Sequence, residues 1–152
     1  MSGELPDPLL DLLSGDDLER KEGETLLLLT VADEGWPRVA LLSVGEVLAI
    51  SSRELHLALY PASTTTANLT RVGRATIAAF AGGAVYYVEL AARRLDDLRG
   101  PHAVLARFTA EVRSVRTDLV GYAELVSWVR FRLVDRDRVL RRWRETVMAL
   151  RE

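Results

Sequence analysis

Four hydroxyl side chains stand next to one another in the stretch PASTTTANLTRVG, residues 61–73. They belong to Ser63, Thr64, Thr65 and Thr66. The residues that follow predict a helix over about 65–72, with Gly73 just past its end. One Ser or Thr is enough to cap a helix, whereas a helix N-terminus rich in N–H groups and extra hydroxyls can also hold an anion. The cluster is therefore either a capped helix in a polar loop or a cradle for an anion such as phosphate.

Residue types needed for other kinds of chemistry are scarce. The chain has no cysteine, which excludes disulfides, thiolate metal sites and cysteine catalysis. The histidines, His56 and His102, occur in no HxxxH or HExxH pattern, so no metal site and no Ser-His-Asp triad is predicted. Glu89 and Glu111 fall in predicted strands, where we expect internal salt bridges rather than catalytic acids.

Seven arginines lie close together in the segment VRFRLVDRDRVLRRWRE, residues 129–145. They form either the solvated face of a strand and a helix, offset by acidic residues elsewhere, or a groove for nucleic acid. A groove for single strands needs exposed aromatic residues between the arginines. The formal net charge of the chain is −2, which gives nucleic acid no general attraction. No nucleic-acid partner is therefore predicted.

Length and composition indicate one ordinary globular domain over residues 1–152, with 49% hydrophobic and 28% charged residues. No apolar run approaches the length that crosses a bilayer. The N-terminus lacks the basic flank and apolar core of a secretory signal. These features predict a cytoplasmic protein without a membrane partner.

Apolar spacing predicts helices near both ends of the chain. The N-terminal leucines indicate a helix over about 7–20, broken near Gly15. At the other end, apolar residues at three- and four-residue spacing predict an amphipathic helix over about 136–150. Trp143 lies on the apolar stripe of that helix and is expected in the core or in an interface. We expect Trp36, which precedes a proline in a turn, to pack against the N-terminal helix.

Between the helices, apolar runs of strand length follow one another closely. Gly35 in DEGWP and the AGG of residues 81–83 mark turns, and Gly45 interrupts one run at an expected bulge. Most of the strands lack an intervening helix, which excludes an alternating βαβ sheet and favours a closed or partly closed antiparallel barrel in an α+β domain. The predicted strands are ETLLLLTVAD, RVALLSVGEVLAI, ELHLALY, RATIAAF, AVYYVELAARRL, PHAVLARFTAEVRSVRTD and SWVRFRLVD.

The order of these elements in GWPRVALLS and ELHLALYPASTTTANLTRVGRATIAAF resembles the pyridoxamine 5′-phosphate oxidase-like family of FMN-binding split barrels. The resemblance covers residues 25–90, and extends more loosely through GYAELVSWVRFRLVDRDRVLRRW. It implies a six-to-seven-stranded antiparallel split β-barrel of Greek-key type, with FMN as the cofactor. It also implies a homodimer with the flavin site at the subunit interface, and a small-molecule substrate or electron donor.

The family pattern also implies which residues bind the cofactor. An arginine begins the strand after a G-x-P turn and a basic residue follows five positions later, where this chain has Arg38 and Ser43. The strand before the short helix lends its backbone to the flavin edge, and the helix start holds the phosphate. Trp128 is a candidate to face the flavin from a neighbouring subunit. The implied cofactor-binding residues are Arg38, Val39, Leu42, Ser43, Ala58, Leu59, Ser63, Thr64, Thr65, Thr66 and Trp128; no catalytic residue is assigned.

The chain departs from the family at the phosphate. The family commonly places two or three cations there, whereas the matching positions here keep Arg38 alone. Losing two cations weakens phosphate binding by about 2–3 kcal/mol, roughly a hundredfold, unless the arginine-rich segment of a partner subunit compensates. We therefore expect an FMN-binding oxidoreductase of unassigned substrate. The alternative is a module of the same fold that has no cofactor or holds a different one, a deazaflavin or heme.

Overall fold

The computed structural model describes residues 2–101 and 103–152, so His102 lies outside the described residues. After a short first helix, four strands precede the central helix, and three more strands lie between it and a long helix at the end. In chain order they are α1 (Asp7–Leu12), β1 (Thr25–Val31), β2 (Pro37–Ser43), β3 (Val47–Ser51), β4 (Glu54–Leu59), α2 (Thr64–Val72), β5 (Arg74–Ala81), β6 (Ala84–Arg99), β7 (Val104–Asp118) and α3 (Arg136–Leu150).

The strands form one antiparallel sheet in the order β2-β1-β5-β6-β7-β4-β3. β2 and β3 follow each other in the chain and yet occupy the two edges, so the sheet is open between them. An open seven-stranded antiparallel sheet with three helices confirms the predicted α+β class and strand number. The predicted C-terminal helix also has the predicted bounds.

The core lies on the face of the sheet that carries alternate leucines. Leu26 and Leu28 of β1 and Leu55 and Leu57 of β4 are fully buried, together with Phe108 of β7. Burying one such side chain stabilises the fold by roughly 1.5–3 kcal/mol. The period-two pattern of β4 therefore places His56 and Ala58 on the opposite face of the strand from Leu55 and Leu57. Both residues are buried on that face as well.

Three turns have the geometry expected from their glycines. Gly35 has φ +90°, Gly82 and Gly83 of the β5–β6 hairpin have φ +57° and +80°, and Gly73 ends α2 with φ +71°. Side-chain-bearing residues rarely adopt these angles. The predictions of a turn, a hairpin and a helix end at these places are confirmed.

Other predictions about the elements are wrong. The N-terminal helix begins at Asp7 and ends at Leu12, and the break predicted near Gly15 is confirmed, since the chain turns there with φ +78°. Its expected continuation to about residue 20 is wrong, because residues 13–20 are not helical. Gly45 lies in a turn between two strands rather than in a bulge, since the Glu46 N–H donates to the Ser43 carbonyl over 3.2 Å and closes that turn. Trp36 does not pack against the N-terminal helix; its side chain is 73% exposed at the tip of its turn.

The segment SWVRFRLVD, residues 127–135, is not a strand. It contains one isolated bridge, between Arg130 and Glu24, and is otherwise irregular. Side-chain hydrogen bonds hold it instead: Trp128 Nε1 donates to the Thr25 carbonyl over 3.2 Å, and the Thr25 hydroxyl donates to the Val129 carbonyl. The apolar pattern was that of a strand, but these contacts attach the segment to β1 without a ladder.

Candidate functional site

The start of α2 uses two of its four hydroxyls to close its own loop. Ser63 is the N-cap, and its Oγ accepts from the Thr66 N–H over 3.1 Å. The Ser63 hydroxyl donates to Thr66 Oγ1 over 3.0 Å, and the Thr66 hydroxyl donates to the Tyr60 carbonyl over 2.6 Å. Ser63 and Thr66 therefore have structural roles, as a capped helix requires.

The other two positions of the cluster keep free donors. The backbone N–H groups of Thr64 and Thr65 have no hydrogen-bond partner among residues 2–101 and 103–152. The Thr64 side chain is exposed, whereas Thr65 is buried. Two N–H groups at a helix N-terminus, with one exposed hydroxyl beside them, suit an anion. The sequence left the cap and the cradle as alternatives, and the geometry is compatible with both.

Arg38 lies on β2, next to the strand on which α2 packs. It is paired in register with Thr30 of β1, whose Oγ1 accepts from Asn68 Nδ2 of α2 over 3.1 Å. Asn68 follows Thr64 by four residues and so shares its side of the helix. The Arg38 side chain is exposed and forms no hydrogen bond or ion pair with any residue that the structure describes. An unpaired guanidinium thus lies beside the contact between α2 and β1.

The remaining predicted residues of β2 differ in exposure. Val39 points outward and is 55% exposed, whereas Leu42 and Ser43 are buried. Ser43 is also committed within its turn, because its N–H and its hydroxyl both donate to Glu46 Oε1, over 2.9 and 2.7 Å. Its side chain therefore faces Glu46 in the β2–β3 turn.

The resemblance implies that the backbone of Ala58 and Leu59 on β4 contacts the edge of the flavin ring, but one of its donors is already used in a hydrogen bond. The Ala58 N–H donates to the Glu46 carbonyl over 2.9 Å, and both Ala58 and Leu59 are buried. Leu59 belongs to the core cluster. A donor for the ring edge at this place would have to come from another group than the Ala58 N–H.

Trp128 is fixed within its own chain. Besides its bond to β1, its ring stacks on Phe80 with centroids 6.2 Å apart. The neighbouring arginines pair with acids, as in the solvated-face interpretation: Arg130 with Glu24, and Arg136 with Glu22 over 2.8 Å. Acidic neighbours thus offset part of the positive charge of this segment. Because the Trp128 ring already stacks on Phe80, its contacts are made within its own chain rather than with a neighbouring subunit.

A cleft beneath α3 was not among the features predicted from sequence. This α3 cleft has a volume of about 480 Å³, within the usual range for small-molecule sites. It lies between α3, the β6–β7 turn, the end of β4 and the turn that holds Glu46. Among the described residues it is lined by Leu41, Gly45, Glu46, Ala58, Tyr60, Leu98, Arg99, Gly100, Pro101, Ala103, Leu105, Arg142, Trp143, Glu145, Thr146, Met148, Ala149 and Glu152.

Glu46 is the half-buried carboxyl of the α3 cleft. Burial raises its pKa, and this outweighs the hydrogen bonds from Ser43 and the nearby Arg142 charge, which lower it. The cause is the cost of holding a charge away from water. Such a group gains most from a ligand that brings a hydrogen-bond donor.

The far end of α3 is held by His56. Its Nδ1 lies 2.8 Å from the Leu150 carbonyl and its Nε2 lies 2.8 Å from Glu54 Oε1. Both partners are acceptors, and they hold the ring between the end of α3 and β4. The hydrogen bond from His56, and next the one from Thr109, lowers the pKa of Glu54. The end of α3 is therefore attached to β4 by a polar contact.

Two negative findings limit the chemistry of the described residues. No group of three or more His, Cys, Asp or Glu side chains in residues 2–101 and 103–152 is placed to hold a metal ion. Likewise, no helix in that part of the chain has the length and apolar character needed to span a membrane.

Comparison with known proteins identifies a close relative. Over 147 residues the chain is 37% identical to YclD of Bacillus subtilis strain 168, a protein of uncharacterized function, covering 97% of this chain and 96% of YclD. The chain belongs to the YclD family. No profile of a broader protein family matches it.

Solved structures show what fold this YclD relative has. A candidate pyridoxamine 5′-phosphate oxidase from Lactobacillus delbrueckii matches 76% of this chain and 95% of its own, with a TM-score of 0.60 and 14% identity. HupZ of Group A Streptococcus matches 74% and 93%, with a TM-score of 0.58 and 13% identity. An F420 reductase matches 74% and 98%, with a TM-score of 0.54 and 12% identity. The fold is the pyridoxamine 5′-phosphate oxidase-like split barrel, as the sequence resemblance implied.

Proposed function

We propose that this YclD relative is an FMN-binding oxidoreductase whose phosphate site lies at the start of α2. The observation that supports it best is the set of uncommitted donors there: the N–H groups of Thr64 and Thr65, the Thr64 hydroxyl, and the unpaired Arg38. N–H groups, a hydroxyl and a guanidinium are donors of the kinds that bind a phosphate. When bound, FMN supplies the electron transfer, while these residues bind and orient its phosphate.

The site predicts a modest affinity. Ser63 and Thr66 are committed to the loop, and Ser43 to its turn, so one charge-assisted contact from Arg38 carries the phosphate. Such a contact contributes about 1.5–3 kcal/mol, which is roughly ten- to a hundredfold in affinity. Removing Arg38 is therefore expected to abolish retention of FMN during desalting.

The test is a titration of the purified protein with FMN, followed by flavin fluorescence quenching and by the visible spectrum after desalting. We expect Arg38→Gln to weaken binding about ten- to a hundredfold. Thr64→Ala is expected to weaken it less, because it removes one neutral hydroxyl. Matched controls are Arg141→Gln and Thr117→Ala, two exposed residues outside the site. Equal affinity of Arg38→Gln and Arg141→Gln would contradict the proposal.

A different cofactor, or none, is the second candidate function. This alternative is favoured by the presence of only Arg38 among the positions that match the family's phosphate cations, since a phosphate site with one cation is weak. An F420 reductase is among the proteins of this fold. Parallel titrations with FMN, a deazaflavin and heme rank the three directly. A protein that binds none of them is the cofactor-free module.

We also propose that the chain forms a homodimer with the cofactor site at the interface. The β2 edge exposes Val39 and Leu41, and Trp36 projects from the adjoining turn. Further large apolar side chains are exposed in residues 119–129. Exposed apolar surface of this kind is usually covered by a partner, most often by a second copy. Sedimentation equilibrium of the wild type and of Val39→Lys tests this; a monomeric wild type would exclude it.

A further inference from the structure

The α3 cleft contains an acceptor that the protein leaves without a donor. Oε1 of Glu46 accepts from the N–H and the hydroxyl of Ser43. Oε2 has no hydrogen-bond partner among residues 2–101 and 103–152, and it remains accessible to solvent. Since Glu46 lines the cleft, this second oxygen is open to a ligand there.

At that oxygen a ligand meets the carboxylate of Glu46 itself, which attracts a cation. The described lining of the cleft also has the carboxyl groups of Glu145 and Glu152 and the guanidinium groups of Arg99 and Arg142. Arg142 lowers the pKa of Glu46 through its charge but makes no hydrogen bond to it. A carboxyl group that is half-buried gains stability from a charged donor more than from water, and it repels an anion.

The rest of the cleft is suited to an apolar body. Leu98 and Leu105 of the β6–β7 hairpin, Trp143 and Met148 of α3, and Ala58 of β4 face it. Trp143 is 4% exposed, whereas Leu98 and Leu105 are partly buried and Met148 is 66% exposed. These three side chains therefore offer a ligand more apolar surface than Trp143 does. The volume of about 480 Å³ admits a small organic molecule rather than a peptide or a nucleic acid.

We propose that the α3 cleft binds a small, largely apolar molecule through a protonated amine that pairs with Glu46 Oε2. The amine occupies the inner end of the cleft, and the apolar body lies between Trp143 and the β6–β7 hairpin. This site is separate from the donors at the start of α2. The proposal therefore holds whether or not the protein binds FMN.

The experiment uses three probes of similar size in the absence of flavin: 2-(1-naphthyl)ethylamine, the corresponding alcohol 2-(1-naphthyl)ethanol, and 1-naphthylacetate. Isothermal titration calorimetry measures each affinity, and amide chemical-shift changes locate the site. We expect the amine to bind about tenfold more tightly than the alcohol, because its contact is charge-assisted, and the acetate to bind most weakly.

Variants show whether the cleft is responsible. Glu46→Gln keeps an acceptor for Ser43 but removes the charge, so the amine and the alcohol are expected to bind equally. Met148→Arg, at a residue 66% exposed on the rim, is expected to weaken binding of the amine and the alcohol without unfolding the protein. Glu34→Gln, in the exposed β1–β2 turn, is the matched control and is expected to behave as wild type.

The outcomes are distinct. Tighter binding of the amine that is lost in Glu46→Gln supports the proposal. Equal binding of the amine and the alcohol by wild type, or a preference that survives Glu46→Gln, overturns the role of Glu46. Failure of all three probes to bind wild type overturns the site itself, and none of these results depends on the FMN titration.

Discussion

Replacing Gly45 by alanine tests how α3 is held against the sheet. Gly45 lies in the turn between β2 and β3, directly beneath Trp143. A Cβ at this position would lie 2.1 Å from Trp143 Cγ, 2.4 Å from its Cδ1 and 2.6 Å from its Cβ. These atoms are at the root of the side chain, so rotating the ring does not relieve the overlap. Either Trp143 or the turn has to move.

The size of the effect follows from two opposing contributions. Gly45 has no positive φ, so alanine fits its backbone and by itself stabilises by about 0.4–1 kcal/mol through the unfolded state. Overpacking a core costs about 1–3 kcal/mol. Because the overlap with the buried Trp143 is severe, we expect a destabilisation at the upper end of that range. The expected net loss is about 2 kcal/mol, or roughly 4–8 °C in Tm for a chain of this size.

The assay is thermal and urea denaturation of Gly45→Ala, Trp143→Ala and the double variant. Trp143→Ala alone is destabilising because it opens a cavity. In its presence Gly45→Ala is expected to cost much less, since Cγ and Cδ1, the two atoms of residue 143 that lie nearest to the added methyl group, are gone. Gly121→Ala is the matched control, as its Cβ meets nothing within 4 Å. If Gly45→Ala loses the same free energy of unfolding in both backgrounds, the overlap with Trp143 is not the cause.

Two further predictions concern Glu46 and Ser63. The pKa of Glu46 is raised in the folded state, so burying its charge costs stability at neutral pH. The cost disappears as the pH falls towards 4.5, the ordinary pKa of the group, because the carboxyl group becomes protonated. Glu46→Gln is therefore expected to unfold at a higher urea concentration than wild type at pH 7, with the difference shrinking on acidification; a constant difference from pH 7 to pH 4 would be inconsistent with this. Ser63→Ala removes the N-cap of α2 and is expected to lower the free energy of unfolding by about 1 kcal/mol. Thr64→Ala, at an exposed hydroxyl without a partner, is expected to leave it unchanged within error in the same urea titration. Equal losses would mean that Ser63 and Thr64 do not differ in structural role, contrary to their hydrogen bonds.

The fold was predictable from sequence where local pattern and backbone chemistry agree. The alternating leucines of β4 and the glycine after α2 each specify one local structure, and both are observed as predicted. The segment SWVRFRLVD shows the limit of this reasoning. Its apolar pattern fits a strand, but a strand needs a neighbour with a free edge, and β1 is already paired with β2 and β5. The apolar pattern of a segment does not show which strand edges are still free to pair with it.

The α3 cleft could not be predicted for a similar reason. Its walls come from four parts of the chain that are distant in sequence, and Glu46 reads as an ordinary turn residue. Two signals were nevertheless present. Gly45 packs against Trp143, which lies on the apolar stripe of the last helix, so a small residue meets a large one in this contact. Because Glu46 follows Gly45 in the chain, the same contact places its carboxyl group beneath α3.

The position of α3 also restricts where a cofactor approaches the sheet. His56 and Ala58 lie on the face of β4 opposite Leu55 and Leu57, and the Leu150 carbonyl of α3 contacts His56 there. The Ala58 N–H is taken by the Glu46 carbonyl. A planar ring that lay along β4 would therefore meet α3 near His56 and would gain no donor from Ala58. Under the proposed function we expect a flavin to approach from the β2 edge, where Val39 is exposed and the Arg38 side chain is unpaired, so its binding would depend more on β2 and α2 than on β4.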